Sequence, residues 1–452
     1  MIKESFRRYL EDAIGCDNAL IAFSAFEQPA SVAVRMNPFK KGHPFDGEQV
    51  AWSRYGYLLQ ERPVFTLDPH FHGGAYYVQD SSSMFVGEVF REVLAGMEVP
   101  EDRPVRVLDL CAAPGGKTTD LAASLRERFG NDFLLVSNEV MKQRAGVLAG
   151  NVALWGDPNV AVTSDDPAAF ACLEGFFDMV VADVPCSGEG MFRKDEQAQD
   201  QWSENNVALC EGRQRRILAD VWPSLAQGGV LVYSTCTFNR LENDGNVEWM
   251  LENLGAEPLY KGSESGYDGV IKTRYGFSLV PGFVKGEGQY CSAVRKLSSC
   301  DRIKPCRFRL KDQPLPASLK EYFDVPVALK QRGETVIAVP ESLAEDVRRL
   351  EESLHVIAAG CAVGVIKGKD LVPDADMALS VILKADAFPY VDLDRATALA
   401  FLHKDAIVLQ DAPRGFVMVG HEGVPLGFVK NLGNRCNNLH PQGRRIRMDV
   451  KE

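Results

Sequence analysis

Between residues 105 and 300, short apolar runs alternate with amphipathic stretches: VRVLDL and then a helix from about 116, DFLLVSNEV and then 141–153, FDMVVADV and then 205–226, GGVLVYST and then 241–254. Strands that are apolar throughout are buried on both faces, and helices between them act as crossovers, so the strands must pair in parallel. This predicts an α/β, doubly wound sheet over 76–298. Two later runs, RYGFSLVPG and QYCSAVRK, have no helix between them and predict an antiparallel pair that closes the sheet.

At 452 residues the chain exceeds what one hydrophobic core serves, and 46% apolar composition lets each of several domains fold. Residues 1–75 read as a small leading module, with an amphipathic first helix and a strand SVAVRM running into Asn37, Pro38 and two lysines. The segment SSCDRIKPCRFRLKDQPLPASL, rich in turn formers and charge, reads as a linker. Beyond it ETVIAVP, HVIAAGCAVGVIKG, AIVLQD, GFVMVG and VPLGFVKN predict short strands in an α+β region, divided into 299–385 and 386–452. No internal repeat is present. No apolar run approaches the ~18–20 residues of a membrane span, and MIKESFRRYLEDAIG is not a signal peptide, so a cytoplasmic location is expected. Eleven cysteines without C-x-x-C spacing suit free thiols, not a disulfide scaffold or a zinc site, and no metal is expected.

A net charge of −12 opposes nucleic-acid binding, which draws on Lys and Arg. The acidic excess is central, however: Lys plus Arg against Asp plus Glu is 8 to 9 over 1–75, 20 to 32 over 76–300 and 22 to 21 over 301–452. In the last 32 residues six basic side chains meet three acidic ones, either a solvated tail or a phosphate-contacting surface.

LDLCAAPGGKT (108–118) follows a strand and opens a helix, where an open α/β sheet places its ligand crevice. Gly115 and Gly116 allow backbone to approach a bound nucleoside, and Pro114 fixes the turn. The spacing is not G-x-G-x-x-G, and Cys111 stands where a phosphate-binding loop needs its first glycine, which favours S-adenosylmethionine over a nucleoside triphosphate. Glu139, ending the second strand, suits ribose hydroxyls; Asp165 or Asp166 suits the adenine amino group, or caps the helix that Pro167 begins. Asp183, ending the fourth strand, can face the cofactor ammonium or a pyrimidine edge.

Two cysteines, Cys186 in ADVPCSGEGMFRKD and Cys236 in LVYSTCTFN, sit in loops at strand ends. Cytosine C5 is a poor nucleophile until a thiolate adds at C6, so its methylation needs one cysteine to attack and something to undo the adduct. Lys117 would favour the thiolate, and Asp183 could hydrogen-bond the N3 and N4 side of the ring. Arg193 and Lys194, beside the first cysteine loop, are candidates for flanking phosphates. Free cysteines are also common in cores, and Cys111, Cys172 and Cys210 are expected there.

CAAPGGKT, ADVPCSGEGMFRKD and YSTCTFNRLEN resemble the RNA 5-methylcytosine methyltransferases of the NOL1/NOP2/Sun family, and within it the bacterial 16S rRNA enzymes of the RsmF type. The resemblance takes in VRMN (34–37), YYVQDSSSM (76–84) and VKGEGQY (284–290), and resumes at NRCNNLHPQGRR (434–445). It implies a class I, Rossmann-like methyltransferase domain with a C-terminal PUA-like RNA-binding end, in which His440 stands where an aromatic is more usual. It implies that Cys236 attacks, that Cys186 assists release, and that Lys117 and Asp183 surround the base. The implied cofactor contacts are Cys111, Ala112, Ala113, Pro114, Gly115, Gly116, Lys117, Glu139, Asp166 and Asp183. Asp166 is preferred to Asp165 because Thr163, Asp166 and Phe170 fit the family spacing. Arg35, Asn37, Lys40 and Lys41 match a segment near the RNA. The expected activity is methylation of cytosine C5 in RNA, with 16S rRNA or the small subunit as partner and the enzyme a monomer. A tRNA methyltransferase and a non-catalytic RNA-binding assembly factor are the alternatives.

Overall fold

The computed structural model describes residues 3–42, 45–262, 265–299, 315–368 and 370–450. Its centre is a twisted sheet built from β1 (Val105–Asp109), β2 (Phe133–Asn138), β3 (Val160–Thr163), β4 (Phe177–Asp183), β5 (Leu225–Thr235), β6 (Gly276–Leu279) and β7 (Gln289–Lys296), in the order 3-2-1-4-5-7-6. Strands β1 to β5 are parallel, β7 is antiparallel to both β5 and β6, and all six residues of β2 are buried. Helices α1 (Gly116–Phe129) and α2 (Lys142–Trp155) lie on one face; α3 (Glu204–Val221) and α4 (Asp244–Asn253) lie on the other. The expected helix 205–226 stops at Val221, where Pro223 forms a short 3-10 turn, and β5 begins at Leu225. Proline has no N–H for the helical ladder and crowds the residue before it.

The flanking segments are packed onto this sheet. Helices Glu4–Ile14 and Cys16–Phe26 bury Phe6, Phe23 and Phe26 against Phe192, Trp202 and Phe238, which belong to the loops after β4 and β5. A four-stranded sheet of 47–49, 56–59, 32–36 and 76–78 leads into β1. Beyond the linker, of which residues 300–314 lie outside the described residues, Val356–Ala359 pairs antiparallel with β3 and extends the central sheet. Two further four-stranded sheets follow, one over 327–373 and one over 390–438. HVIAAGCAVGVIKG breaks into two strands at Gly360, where φ is +81°, and AIVLQD forms no strand: Ile407 and Leu409 pack as irregular chain into the last core.

Among the described residues no helix is long and apolar enough to cross a membrane, and no cluster of side chains could hold a metal ion. The nine described cysteines are free; Cys210 is buried as expected and Cys111 partly so, whereas Cys172, at the end of a surface 3-10 turn, is exposed.

Candidate active site

The C-terminal ends of β1, β4 and β5 converge on one crevice, the ligand-binding edge of a doubly wound sheet. Strand β1 ends at Asp109, and the chain turns through a cis Ala113–Pro114 peptide to Gly115, the N-cap of α1. Gly115 has φ +114°, and a Cβ there would stand 3.2 Å from Leu148 Cδ1; one on Gly116 would stand 3.3 Å from Tyr77 Cε1. The turn is held from outside. Ala112 N donates to Asn138 O (2.8 Å), Arg144 Nη2 to Ala113 O (2.9 Å), and Asn151 Nδ2 (2.7 Å) and Tyr77 Oη (3.2 Å) to Pro114 O. The first-turn N–H groups of α1 are thereby aimed where a carboxylate or nucleoside can meet them.

Asp109 escaped the sequence reading, although the strand-end position was a signal for it. Thr118 Oγ1 donates to its Oδ2 at 2.6 Å, while Oδ1 is buried without a hydrogen-bond partner. Burial lifts this carboxyl to about 7, against the Thr118 hydrogen bond and with a further push from Asp183. A buried acceptor left open beside a glycine turn fits a ligand carrying donors, and S-adenosylmethionine, with its ammonium and ribose hydroxyls, carries them.

The other candidate carboxylates differ in their engagements. Glu139, buried at the end of β2, accepts from Met141 N (2.9 Å) and pairs with Arg144 (3.1 Å). Asp166 caps its own 3-10 turn through Ala168 N (3.1 Å) and faces Arg216 (3.5 Å), and Asp165 accepts from His355 N (2.9 Å), tying the strand at 356–359 to β3. Asp183 pairs with Lys117 Nζ at 2.8 Å and accepts from Ser234 Oγ at 2.6 Å. Burial depresses the Lys117 ammonium, but Asp183, Cys236 and Asp109 outweigh it and leave the pKa raised, so Lys117 stays a cation.

Cys186 Sγ and Cys236 Sγ lie 3.0 Å apart, fifty residues distant in sequence. Hydrogen bonding to Cys236, and then burial, pushes the Cys186 thiol well above its usual range. Two carboxylates missing from the sequence reading hold the loops together. Glu242 accepts from Ser187 N (3.0 Å), Gln214 Nε2 (2.7 Å) and Asn239 Nδ2 (2.8 Å). Glu189 accepts from Phe238 N (2.7 Å), Asn239 Nδ2 (2.9 Å) and Trp202 Nε1 (2.9 Å). Each loop thus contributes one buried carboxylate to the other, and Gly190 N closes the brace on Cys236 O (2.8 Å).

Residues matched to a segment near the RNA, and the two expected near phosphates, have partners within the protein. Arg35 is 1% exposed and donates to Gly116 O (3.0 Å) and Thr119 Oγ1 (2.5 Å), bracing the glycine turn. Asn37 bonds Gly74 O and Trp155 O, and Lys40 Nζ bonds Gly73 O and Leu154 O, so both clamp the leading module to α2. Arg193 pairs with Glu287 (2.8 Å) and Lys194, exposed like Lys41, pairs with Asp80 (3.1 Å). His440 is 4% exposed, stacked edge-on to Phe401 at 5.4 Å, and burial lowers its pKa to about 4, making it a neutral core residue. Arg435, Arg445 and Arg447 supply the exposed part of the basic tail.

Strand order, glycine turn and strand-end acids together define a class I, S-adenosylmethionine-dependent methyltransferase. Residues 97–295 match the family model of 16S rRNA methyltransferase RsmB/F, residues 3–81 that of the RsmF N-terminal domain and residues 388–446 that of the RsmF PUA domain. The ribosomal RNA small subunit methyltransferase F of Shewanella piezotolerans is 30% identical over 94% of this chain and 93% of its own length. A methyltransferase homolog from Pyrococcus horikoshii is similar in structure, with TM-score 0.53 and 25% identity over 65% of this chain and 95% of that one. NSun6 from the same organism, solved with SFG, shares the fold at TM-score 0.53 and 18% identity, over 66% of this chain and 99% of that one. This chain belongs to the RsmF family of 16S rRNA methyltransferases.

Proposed function

We propose that the chain methylates C5 of a cytosine in 16S rRNA through a transient bond between Cys236 and C6, released with the help of Cys186. The observation that carries this reading is the 3.0 Å approach of the two thiols beside the Lys117–Asp183 pair. When bound, S-adenosylmethionine supplies an electrophilic methyl group. Gly115, Gly116 and the open oxygen of Asp109 would hold it, with Glu139 and the first turn of α1.

The two sulfurs take different roles. Cys186 retains its proton, because ionising it beside Cys236 in a buried site is costly. Cys236 lies in the field of the Lys117 ammonium and is the attacking sulfur. Its lone pair forms the S–C6 bond, and electron density moves through the ring to C5, which takes the methyl group. Asp183, oriented by Lys117 and Ser234, accepts from the cytosine N4 amino group and holds the base in register. Transfer of the C5 proton to solvent water then lets the S–C6 bond break, returning the electron pair to Cys236, and the Cys186 thiol stabilises that departing sulfur by donating to it. A base stacked in a helix cannot reach this site, so the target must be unpaired or turned out.

Mapping 5-methylcytosine in 16S rRNA from cells with and without the chain tests the assignment. Loss of at least one modified position, restored by the wild type and not by Cys236→Ala, is expected. An unchanged 16S pattern would contradict it.

A further inference from the structure

A cavity of about 600 Å³ opens between the leading module and α2, outside the catalytic crevice. Five aromatic side chains line it, Phe65, Phe71, Tyr76, Tyr77 and Trp155, and its only charged lining residue is Arg62. The lining carries no carboxylate, and Asp68 stands behind it, accepting from Tyr76 Oη at 2.7 Å. The rim is open to solvent, Val64 being 57% exposed, and the guanidinium of Arg62 lies 5.6 Å over the Phe65 ring. The walls are fixed: Phe65 and Phe71 pack on Tyr76 with ring centres 6.0 and 5.9 Å apart. The floor is tied to the cofactor turn, since Tyr77 Oη and Asn151 Nδ2 both donate to Pro114 O, three residues from Lys117.

Phe65, Tyr76 and Trp155 are buried within the wall, and the partly exposed Phe71 and Tyr77, with a guanidinium at the mouth, offer a nucleobase two things at once, a ring to stack on and a cation for the adjoining phosphate. Its volume accommodates a nucleotide. We infer that this cavity receives one unpaired base of the RNA substrate, flanking the cytosine at Cys236. The inference rests on the chain acting on RNA, and gives the leading module a defined role: a base lodged here fixes how far along the strand the target cytosine stands. Asn37 and Lys40 then serve to hold this cleft against α2, and the buried Arg35 lies 4.9 Å over the ring of Trp155 in its wall.

The test uses 16S rRNA transcribed with 4-thiouridine in place of a fraction of its uridines, irradiated with the full-length protein. Crosslinked peptides should fall within 62–78 or 142–155. Phe71→Leu, which keeps apolar bulk but loses the ring, and Arg62→Ala, at an exposed rim, should each raise KM for RNA about tenfold while kcat stays within about twofold. If wild-type protein methylates this RNA but crosslinks map only elsewhere and both variants keep the wild-type KM, the cavity is not an RNA site, and the methyltransferase reading stands. If wild-type protein neither binds nor methylates this RNA, free or assembled into small subunits, both readings fall.

Discussion

Glu242 carries opposing demands in one side chain. Burial raises its carboxyl from 4.5 to about 6, so the folded chain binds the proton more tightly than the unfolded one. Its contribution to stability is therefore most favourable at acid pH and declines as pH rises from about 4.5 to about 6, by about 2 kcal/mol. The brace between the thiol loops is strongest in the ionised form, because a carboxylate accepts from Ser187, Gln214 and Asn239 with no proton of its own to place and with stronger bonds. Activity is expected to fall as pH drops through about 6, and Glu242→Gln is expected to lower kcat at least about tenfold at pH 8 and to flatten that acid limb. A pH profile of kcat at saturating RNA checks both; a variant with the wild-type profile would show that the brace is dispensable. The sequence showed the two cysteines, because each ends a recognisable strand. It hid Glu189 and Glu242, whose partners lie about fifty residues away and are known only once the strands are side by side.

At the scale of elements, the turn from β1 to α1 is the most exacting piece. Gly115→Ala places a side chain at φ +114° and within 3.2 Å of Leu148, so the turn must shift or α2 must move. Affinity for S-adenosylmethionine should fall about tenfold or more with far-ultraviolet circular dichroism unchanged, measured by calorimetry; unchanged affinity would remove the turn from the cofactor site. Strands and helices of the central sheet were legible because apolar runs such as FLLV, in a strand buried over all six residues, leave little alternative. Boundaries were less so, as the stop at Pro223 shows. The partners of Arg35, Lys40 and Arg193 were not legible for a physical reason. A charge in the sequence announces an ionic partner without saying whether it is a phosphate outside or a carbonyl and carboxylate within.

Across the whole molecule, the segment beyond the linker completes the catalytic sheet. Strand Val356–Ala359 covers the edge of β3, and Arg106 of β1 meets Asp346 in a two-point pair (2.8 and 2.7 Å) while lying 4.4 Å over Phe176. Nothing in local patterning distinguishes a strand that joins its own sheet from one that joins another, so this union was not legible. Breaking the pair leaves a charge with little water, and Asp346→Ala should destabilise by about 3 kcal/mol. Denaturant unfolding should show the catalytic sheet and this segment losing structure in one transition; two separate transitions in the wild type would refute the coupling.

The assignment of roles to the two sulfurs admits a direct test. Cys186→Ala, incubated with 16S rRNA and S-adenosylmethionine, should accumulate a complex that survives denaturing electrophoresis. After nuclease and protease digestion, mass spectrometry should find a methylated cytidine on the peptide containing Cys236. A nucleotide attached instead at residue 186 in Cys236→Ala, or efficient methylation by Cys236→Ala, would contradict the account.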